Sequence, residues 1–399
     1  MSVNAAAAGA AILGQREEAL VSWSAIAEPG DPLARALVGV LGPAEALAWV
    51  RRAAGDPVAA TMDLAPRARR ELVERAVAAV ARWVPRLADS DPGRHVERAA
   101  AVGAVAIPRG ATGWPTVLDD LGDAAPYCLW VRGAVPADEA LARAVAVVGS
   151  RSSTAYGEHM AATIASGLAD EGWTVVSGGA YGIDARAHRG SLAAGGVTVA
   201  VLAGGVDRLY PRGNADLLAK VLDTGAVIAE QPPGFPPHRS RFLTRNRIIA
   251  AARATVVVEA AYRSGALSTA THAAEIGRPV AAVPGPATNP SSFGCHRLIR
   301  EGAALVTSAR DVLDLVLPLD ASRAETGPPA PLGHAIENFA SADERRAFDA
   351  VSRRGSGTGQ VARTAGMTPA EARAALASLE VAGAVVRAGD LWTRAPRRR

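Results

Sequence analysis

Residues 175–188 read Val-Val-Ser-Gly-Gly-Ala-Tyr-Gly-Ile-Asp-Ala-Arg-Ala-His. An apolar run from Trp173 to Val176 stops at Ser177 and the pair Gly178-Gly179, and an Ala-rich helical pattern starts near Asp184. The order is strand, glycine loop, helix start. Glycine has no Cβ, so a ligand can approach the backbone closely. The first turn of a helix adds unpaired N–H groups and a positive dipole end. A phosphate or another anion suits such a turn. Ser177 adds a hydroxyl donor, and Asp184 is expected as N-cap and first-turn acid. A tight β–α turn without any ligand has the same pattern, so both readings stay open on this stretch alone. The spacing of Gly178, Gly179 and Gly182 matches neither G-x-G-x-x-G nor the P-loop, which disfavours a nicotinamide enzyme and a P-loop ATPase.

Outward from this stretch, strand and helix patterns alternate. Runs apolar on both faces occur at 144–148, 174–176, 198–202, 226–229, 255–258, 280–283 and 304–306. Such strands separated by helices indicate a parallel sheet covered on both sides. The expected fold class is α/β, a Rossmann-like doubly wound domain over residues 96–320. Residues 96–140, with strands near 102–107 and 127–132, form its lead-in. Ligands of such sheets sit at the carboxyl ends of the strands. Residues 1–95 read as a small helical domain with helices at 17–26, 43–53 and 67–87. The breaks between them hold Gly30-Asp31-Pro32, Gly55-Asp56-Pro57 and Asp91-Pro92-Gly93. Residues 321–335 read as a Pro/Gly/Ala-rich linker. Residues 336–399 read as a winged helix, whose role in binding DNA or protein stays open. Its second long helix opens with Thr368-Pro369-Ala370-Glu371, an acid where a DNA reader would carry a base.

Composition narrows the class. The chain has 399 residues, 49% of them apolar, with a net charge of only +4. Nucleic-acid binding must therefore come from a local patch. Lys220 is the only lysine. Two cysteines, Cys128 and Cys295, cannot build a zinc cluster and fit a reducing cytosol. The stretch Ala5 to Leu13 has no basic lead and is followed by Glu17 and Glu18, so neither a signal peptide nor a membrane span is expected.

Three further loops carry chemistry. Val148 is followed by Gly149-Ser150-Arg151, where the guanidinium suits phosphate capture. Ser264-Gly265 opens another anion-ready helix. The richest segment, 230–249, leads through four prolines into a helix carrying Arg239, Arg241, Arg245, Asn246 and Arg247 around the single aromatic Phe242. Basic groups track a phosphate backbone and a ring stacks a base. The competing reading is a solvated basic face with Phe242 in the core. Tyr210-Pro211 and Asn214 read as a shaped turn and a helix cap, and His188 as structural. No nucleophile–base pair or metal carboxylate cluster stands out, so neither a metal nor a cofactor is expected.

Taken together, these loops resemble the DNA-processing protein A family (DprA, also called Smf). The resemblance rests on Gly149-Ser150-Arg151; Ser177 to Asp184 with Ala187-His188; Tyr210-Pro211 with Asn214; Arg245-Asn246-Arg247-Ile248-Ile249; Ser264-Gly265-Ala266-Leu267; and Pro284-Gly285, in family order. It implies a cytoplasmic, non-enzymatic protein that binds single-stranded DNA, dimerises through its Rossmann-like domain, protects incoming DNA in natural transformation and loads the RecA recombinase. It also implies a SAM- or HhH-like character for the helical N-terminal domain. The site residues implied are Gly149, Ser150, Arg151, Ser177, Gly178, Gly179, Gly182, Asp184, Arg239, Phe242, Arg245, Asn246, Arg247, Ser264 and Gly265. Leu243 departs from the proline common at that position, and His296 from an asparagine. The runner-up is a nucleoside-monophosphate N-glycosidase, but the region 259–269 lacks that family's glutamate motif. A winged-helix regulator with a ligand-sensing domain leaves the arginine-rich segment unexplained.

Overall fold

The computed structural model describes residues 13–88, 90–317, 341–352, 355–382 and 384–395. The expected linker and the Arg397–Arg399 tail lie outside them, as does most of the Ala5–Leu13 stretch. The chain forms two compact units, Met1–Ala321 and Ser322–Arg399.

The first unit begins with six helices: α1 (Gln15–Ile26), α2 (Pro32–Leu41), α3 (Pro43–Gly55), α4 (Pro57–Leu64), α5 (Arg70–Leu87) and α6 (Pro92–Ala100). Each Asp-Pro break turns out to be a helix start. Asp31, Asp56 and Asp91 accept N–H bonds from the first turns of α2, α4 and α6, with proline at the first helical position. Proline is tolerated there because its missing N–H has no intrahelical partner anyway. Trp23, Trp49 and Trp83 fill the core of this layer, and each indole N–H finds an oxygen: Pro43 O, Ala60 O and Asp31 Oδ2. Helix α6 runs across residue 95, and Ala99 packs with Trp130 and Val227 of the sheet. The helical layer and the sheet thus share one compact unit. Among the described residues no single helix is long and apolar enough to cross a membrane; α2 and α3 meet that test only as a pair bent by 113°.

The sheet has nine strands: β1 (Ala104–Pro108), β2 (Cys128–Gly133), β3 (Ala144–Val148), β4 (Thr174–Ser177), β5 (Thr198–Leu202), β6 (Ala226–Ala229), β7 (Ala254–Val257), β8 (Val280–Ala282) and β9 (Ala304–Leu305). Their order is β1-β2-β6-β5-β4-β3-β7-β8-β9. The lead-in strands β1 and β2 join antiparallel at one edge, and the other seven are parallel. Within them β5-β4-β3-β7-β8-β9 follows the doubly wound order 3-2-1-4-5-6. Strand side chains alternate between faces. Val145 and Val147 pack under α8 (Ala155–Asp170), α9 (Ile183–Ala193) and α14 (Ala309–Val316). Ala146 and Val148 pack under α11 (Arg239–Ala250), α12 (Ala266–Glu275) and α13 (Phe293–Arg300). Two further helices, α7 (Ala137–Ala142) and α10 (Ala215–Thr224), complete the cover. Cys128 and Cys295 are buried free thiols.

The second unit is a winged helix: α15 (Ala342–Ala350), α16 (Thr358–Ala365) and α17 (Pro369–Val381), with a three-stranded sheet ordered β10 (Ser356–Gly357), β12 (Leu391–Arg394), β11 (Val385–Ala388). Phe348, Leu376 and Trp392 centre its core. Glu371 closes a capping box with Thr368, which explains the acid that opens α17.

Candidate nucleic-acid interface

Strand β3 lies between β4 and β7. The chain leaves β3 towards β4, and the later half of the sheet returns on its other side, so the loops part here. In this opening lies a pocket of about 390 Å³. Gly149 to Ser152 come from the loop after β3, Ala180 and Asp184 from the loop and helix after β4, Ser264 and Gly265 from the loop before α12, and Phe242, Arg245 and Asn246 from α11.

Two glycines make the floor possible. Gly182 has φ +74°, and a Cβ there would stand 2.3 Å from Ser150 O, so the β3 and β4 loops meet only because it is glycine. The backbone seals the join, with Ile183 N donating to Ser150 O at 3.1 Å. A Cβ on Gly178 would stand 2.5 Å from the Arg245 guanidinium and 2.8 Å from the Asp184 carboxylate. Gly178 is therefore the spacer between two buried opposite charges.

Arg245 is 6% exposed. Its guanidinium donates to Gly178 O at 3.0 Å and to Val201 O. Burial pulls it down to about 10, with the Asp184 charge opposing the fall, so it stays protonated at neutral pH. Asp184 accepts from Gly178 N at 3.1 Å and Ala180 N at 3.3 Å. Burial pushes its carboxyl up, against the Arg245 charge and these donors. Asp184 is thus the second residue of α9, and the N-cap position falls to Gly182. His188 lies beneath, fully buried, with Nδ1 2.7 Å from Thr198 Oγ1. Burial, then Arg245, pulls it down to about 3, so it is neutral. Since Thr198 Oγ1 donates to Val175 O, it accepts from Nδ1–H, which leaves the proton on that nitrogen.

The rim differs from the floor. Arg151 is exposed and, among the described residues, makes no ion pair. Its Cζ lies 5.4 Å from the centre of the Phe242 ring. Phe242 is half-buried and belongs to none of the apolar core clusters. Tyr210 stands beside it, with ring centroids 5.9 Å apart and planes at 51°. The site thus presents a ring and a free cation side by side, above a buried cation.

A protein-family model described as DNA recombination-mediator protein A matches residues 106–317. This chain belongs to that family. A putative DNA processing protein DprA of Mycobacterium tuberculosis is 50% identical over 260 residues, which are 65% of this chain and 66% of that protein. The Protein Smf of Escherichia coli is 44% identical over 191 residues, 47% of this chain and 50% of that one. The chain spans just under two thirds of the first relative and half of the second. Among solved structures, DNA processing protein A from Streptococcus pneumoniae aligns with a TM-score of 0.60 at 30% identity, over 77% of this chain and 99% of that one.

Set against this DprA/Smf membership, the residues singled out by sequence divide into three groups. Gly149, Ser150, Arg151, Asp184, Phe242, Arg245, Asn246, Ser264 and Gly265 line one pocket. Ser177, Gly178, Gly179 and Gly182 lie behind it. The Ser177 hydroxyl is turned inward to Val147 O at 2.7 Å, so it is no ligand donor. Arg239 and Arg247 leave the group. Arg239 stands exposed at the first position of α11. Arg247 is buried on the far side of the helix, donating to Glu230 Oε1 at 2.7 Å and to Ala124 O. Arg241 is likewise taken, by both oxygens of Glu28. The expected four-arginine basic face is therefore one exposed cation, one floor cation and two structural ones. Asn214 makes no side-chain cap; its amide holds Gly179 O and Ala180 O, each at 3.0 Å, and so shapes the glycine loop. Tyr210 and Tyr181 stand exposed beside the glycine loops, and Tyr210 packs near Phe242, a contact that the reading of Tyr210-Pro211 as a shaped turn leaves out. Their scarcity as aromatics was the available signal.

Proposed function

We propose that this chain binds single-stranded DNA in the pocket at the end of β3, and that as a DprA/Smf protein it protects incoming DNA and loads RecA recombinase in natural transformation and recombination. The observation that carries the DNA reading is the half-buried Phe242 ring with the exposed, unpaired Arg151 guanidinium at 5.4 Å. A splayed base stacks on such a ring while the adjacent phosphate meets the cation. Ser264, Gly265 and Asn246 offer polar groups at the start of α12, and Arg239 meets the strand beyond. Buried Arg245 adds a field that solvent screens poorly. The RecA partner, the homodimer through the Rossmann-like domain and a cytoplasmic setting rest on family membership.

The reading is one of binding without catalysis. Glu259, the carboxylate nearest to where an N-glycosidase would carry its acid, is 2% exposed. Its two oxygens accept from Thr154 N at 2.9 Å and Thr154 Oγ1 at 2.6 Å, so it serves to start α8. Titration with poly-dT and with duplex of equal length tests the proposal. Poly-dT binds more tightly and loses affinity with salt; equal affinity for duplex at moderate salt overturns the reading.

A further inference from the structure

We propose that a second pocket, on the opposite side of α11, holds the continuation of the bound single strand, with Arg35 of α2 receiving a backbone phosphate. The proposal rests on the single-strand reading of the first pocket. The second cavity also measures about 390 Å³ and is walled by α2, α11 and α12. Helix α11 divides the two spaces. Phe242, Arg245 and Asn246 face the first, whereas Thr244 and Arg247 face the second. Along α12, Ala266 and Thr269 face the first, and Ser268 and His272 the second. Leu243 lines both, and it is 51% exposed. It forms the saddle between them. A strand leaving Phe242 along the helix crosses this apolar saddle, where a base or sugar covers what is otherwise bare.

Two guanidiniums, Arg35 and Arg247, line the second pocket. Arg35 donates to three carbonyls, Gly30 O, Asp31 O at 3.3 Å and Asp123 O at 3.1 Å. Among the described residues it makes no ion pair, and a guanidinium has five N–H donors, so donors remain. Arg247 has one carboxylate, Glu230. Glu275 stands on the rim, its Oε2 3.2 Å from His272 Nδ1. Burial, then the Arg247 charge, lowers Arg35 from its ordinary value, with the Glu230 and Asp123 charges opposing the fall. A phosphodiester at Arg35 takes up its spare donors. Arginine is suited to this because its planar fork matches phosphate oxygens. The helical layer thereby becomes a part of the DNA path.

The test is a length series of oligo-dT, from about 4 to about 20 nucleotides, against the full chain at several salt concentrations. Arg35→Gln leaves the shortest bound strand at wild-type affinity. It weakens the longer strands about tenfold, the size of one lost charge-assisted contact, and flattens their log affinity–log salt slope by about 0.7. Ser268→Glu places a negative charge in the second pocket alone, keeps the Arg35 carbonyl bonds, and gives the same length-dependent loss. If Arg35→Gln lowers the melting temperature, Ser268→Glu decides. A loss equal at every length, or wild-type affinity of both variants for long strands, overturns the second pocket. Wild-type protein that binds no strand of any length overturns the first-pocket reading and this one with it, and is a distinct result.

Discussion

Replacing Phe242 by alanine separates stacking from charge. The ring is half-buried, outside the apolar cores, with Tyr210 and Arg151 beside it. A base stacked on an aromatic contributes about 1–3 kcal/mol, so binding of oligo-dT weakens roughly 5- to 150-fold. Arg151 keeps its charge, and the slope of log affinity against log salt stays that of the wild type. The fold pays less than for a core ring: truncating a buried Phe costs about 3–5 kcal/mol, and a half-buried one about 2. Fluorescence anisotropy across a salt series gives affinity and slope, and urea denaturation of the same samples gives stability. A variant that stays folded and binds as tightly as wild type refutes the stacking assignment. A slope flattened by about 0.7 shows instead that the ring acts by holding Arg151 on a phosphate.

Three other outcomes follow from the same geometry. Arg151→Gln flattens the salt slope by about 0.7 and leaves denaturation within about 0.5 kcal/mol of wild type, since the side chain is exposed and makes no ion pair among the described residues; an unchanged slope removes Arg151 from the DNA path. Arg245→Ala acts on the fold first: it strips a donor from the carbonyls of Gly178 and Val201 and the countercharge from buried Asp184, at about 3–5 kcal/mol read by urea denaturation, and a variant as stable as wild type refutes its place in the floor. Glu28→Gln changes the acid limb. Burial pushes the Glu28 carboxyl up, but bonds and charges from Arg241 and Arg86 outweigh it and bring it from 4.5 to about 2. A folded-state value below the unfolded one means that this stability is full above pH 4.5 and lost as pH falls towards 2. Wild-type and variant stabilities therefore converge over that window, and curves that stay parallel refute the role.

The strands were legible where burial on both faces makes the run continuously apolar. The expected spans 144–148, 198–202 and 226–229 coincide with β3, β5 and β6. The glycine loop was legible because close approach leaves few alternatives to glycine at 178 and 182. The helical layer was read too sparsely. In sequence Asp-Pro reads as a break, whereas aspartate at the N-cap with proline after it starts a helix, so α2, α4 and α6 are hidden from the periodic pattern. Arg35, the residue that brings the helical layer to the second pocket, lies on the first of these.

The misreading of α11 has a different origin. Arg239, Arg241, Arg245 and Arg247 are alike in sequence and near one another, yet they have separate fates. A guanidinium's role is set by what its long stem reaches, and those partners are not local. Arg241 reaches Glu28, 213 positions away, and Arg245 reaches Gly178, 67 positions away. Burying an arginine without such partners is costly, so each buried one is tied to carbonyls or to a carboxylate. The consequence for binding is that charge count overstates contact. Of the four, Arg239 alone is free to touch a phosphate directly, and Arg245 acts through its field from beneath the pocket. The direct phosphate contacts of a strand crossing this surface must then come largely from outside the basic segment, from Arg151 on the β3 loop and Arg35 on α2. A salt slope that falls stepwise with removal of Arg151 and of Arg35, and falls with Arg239 only on strands long enough to reach it, is the signature of that arrangement.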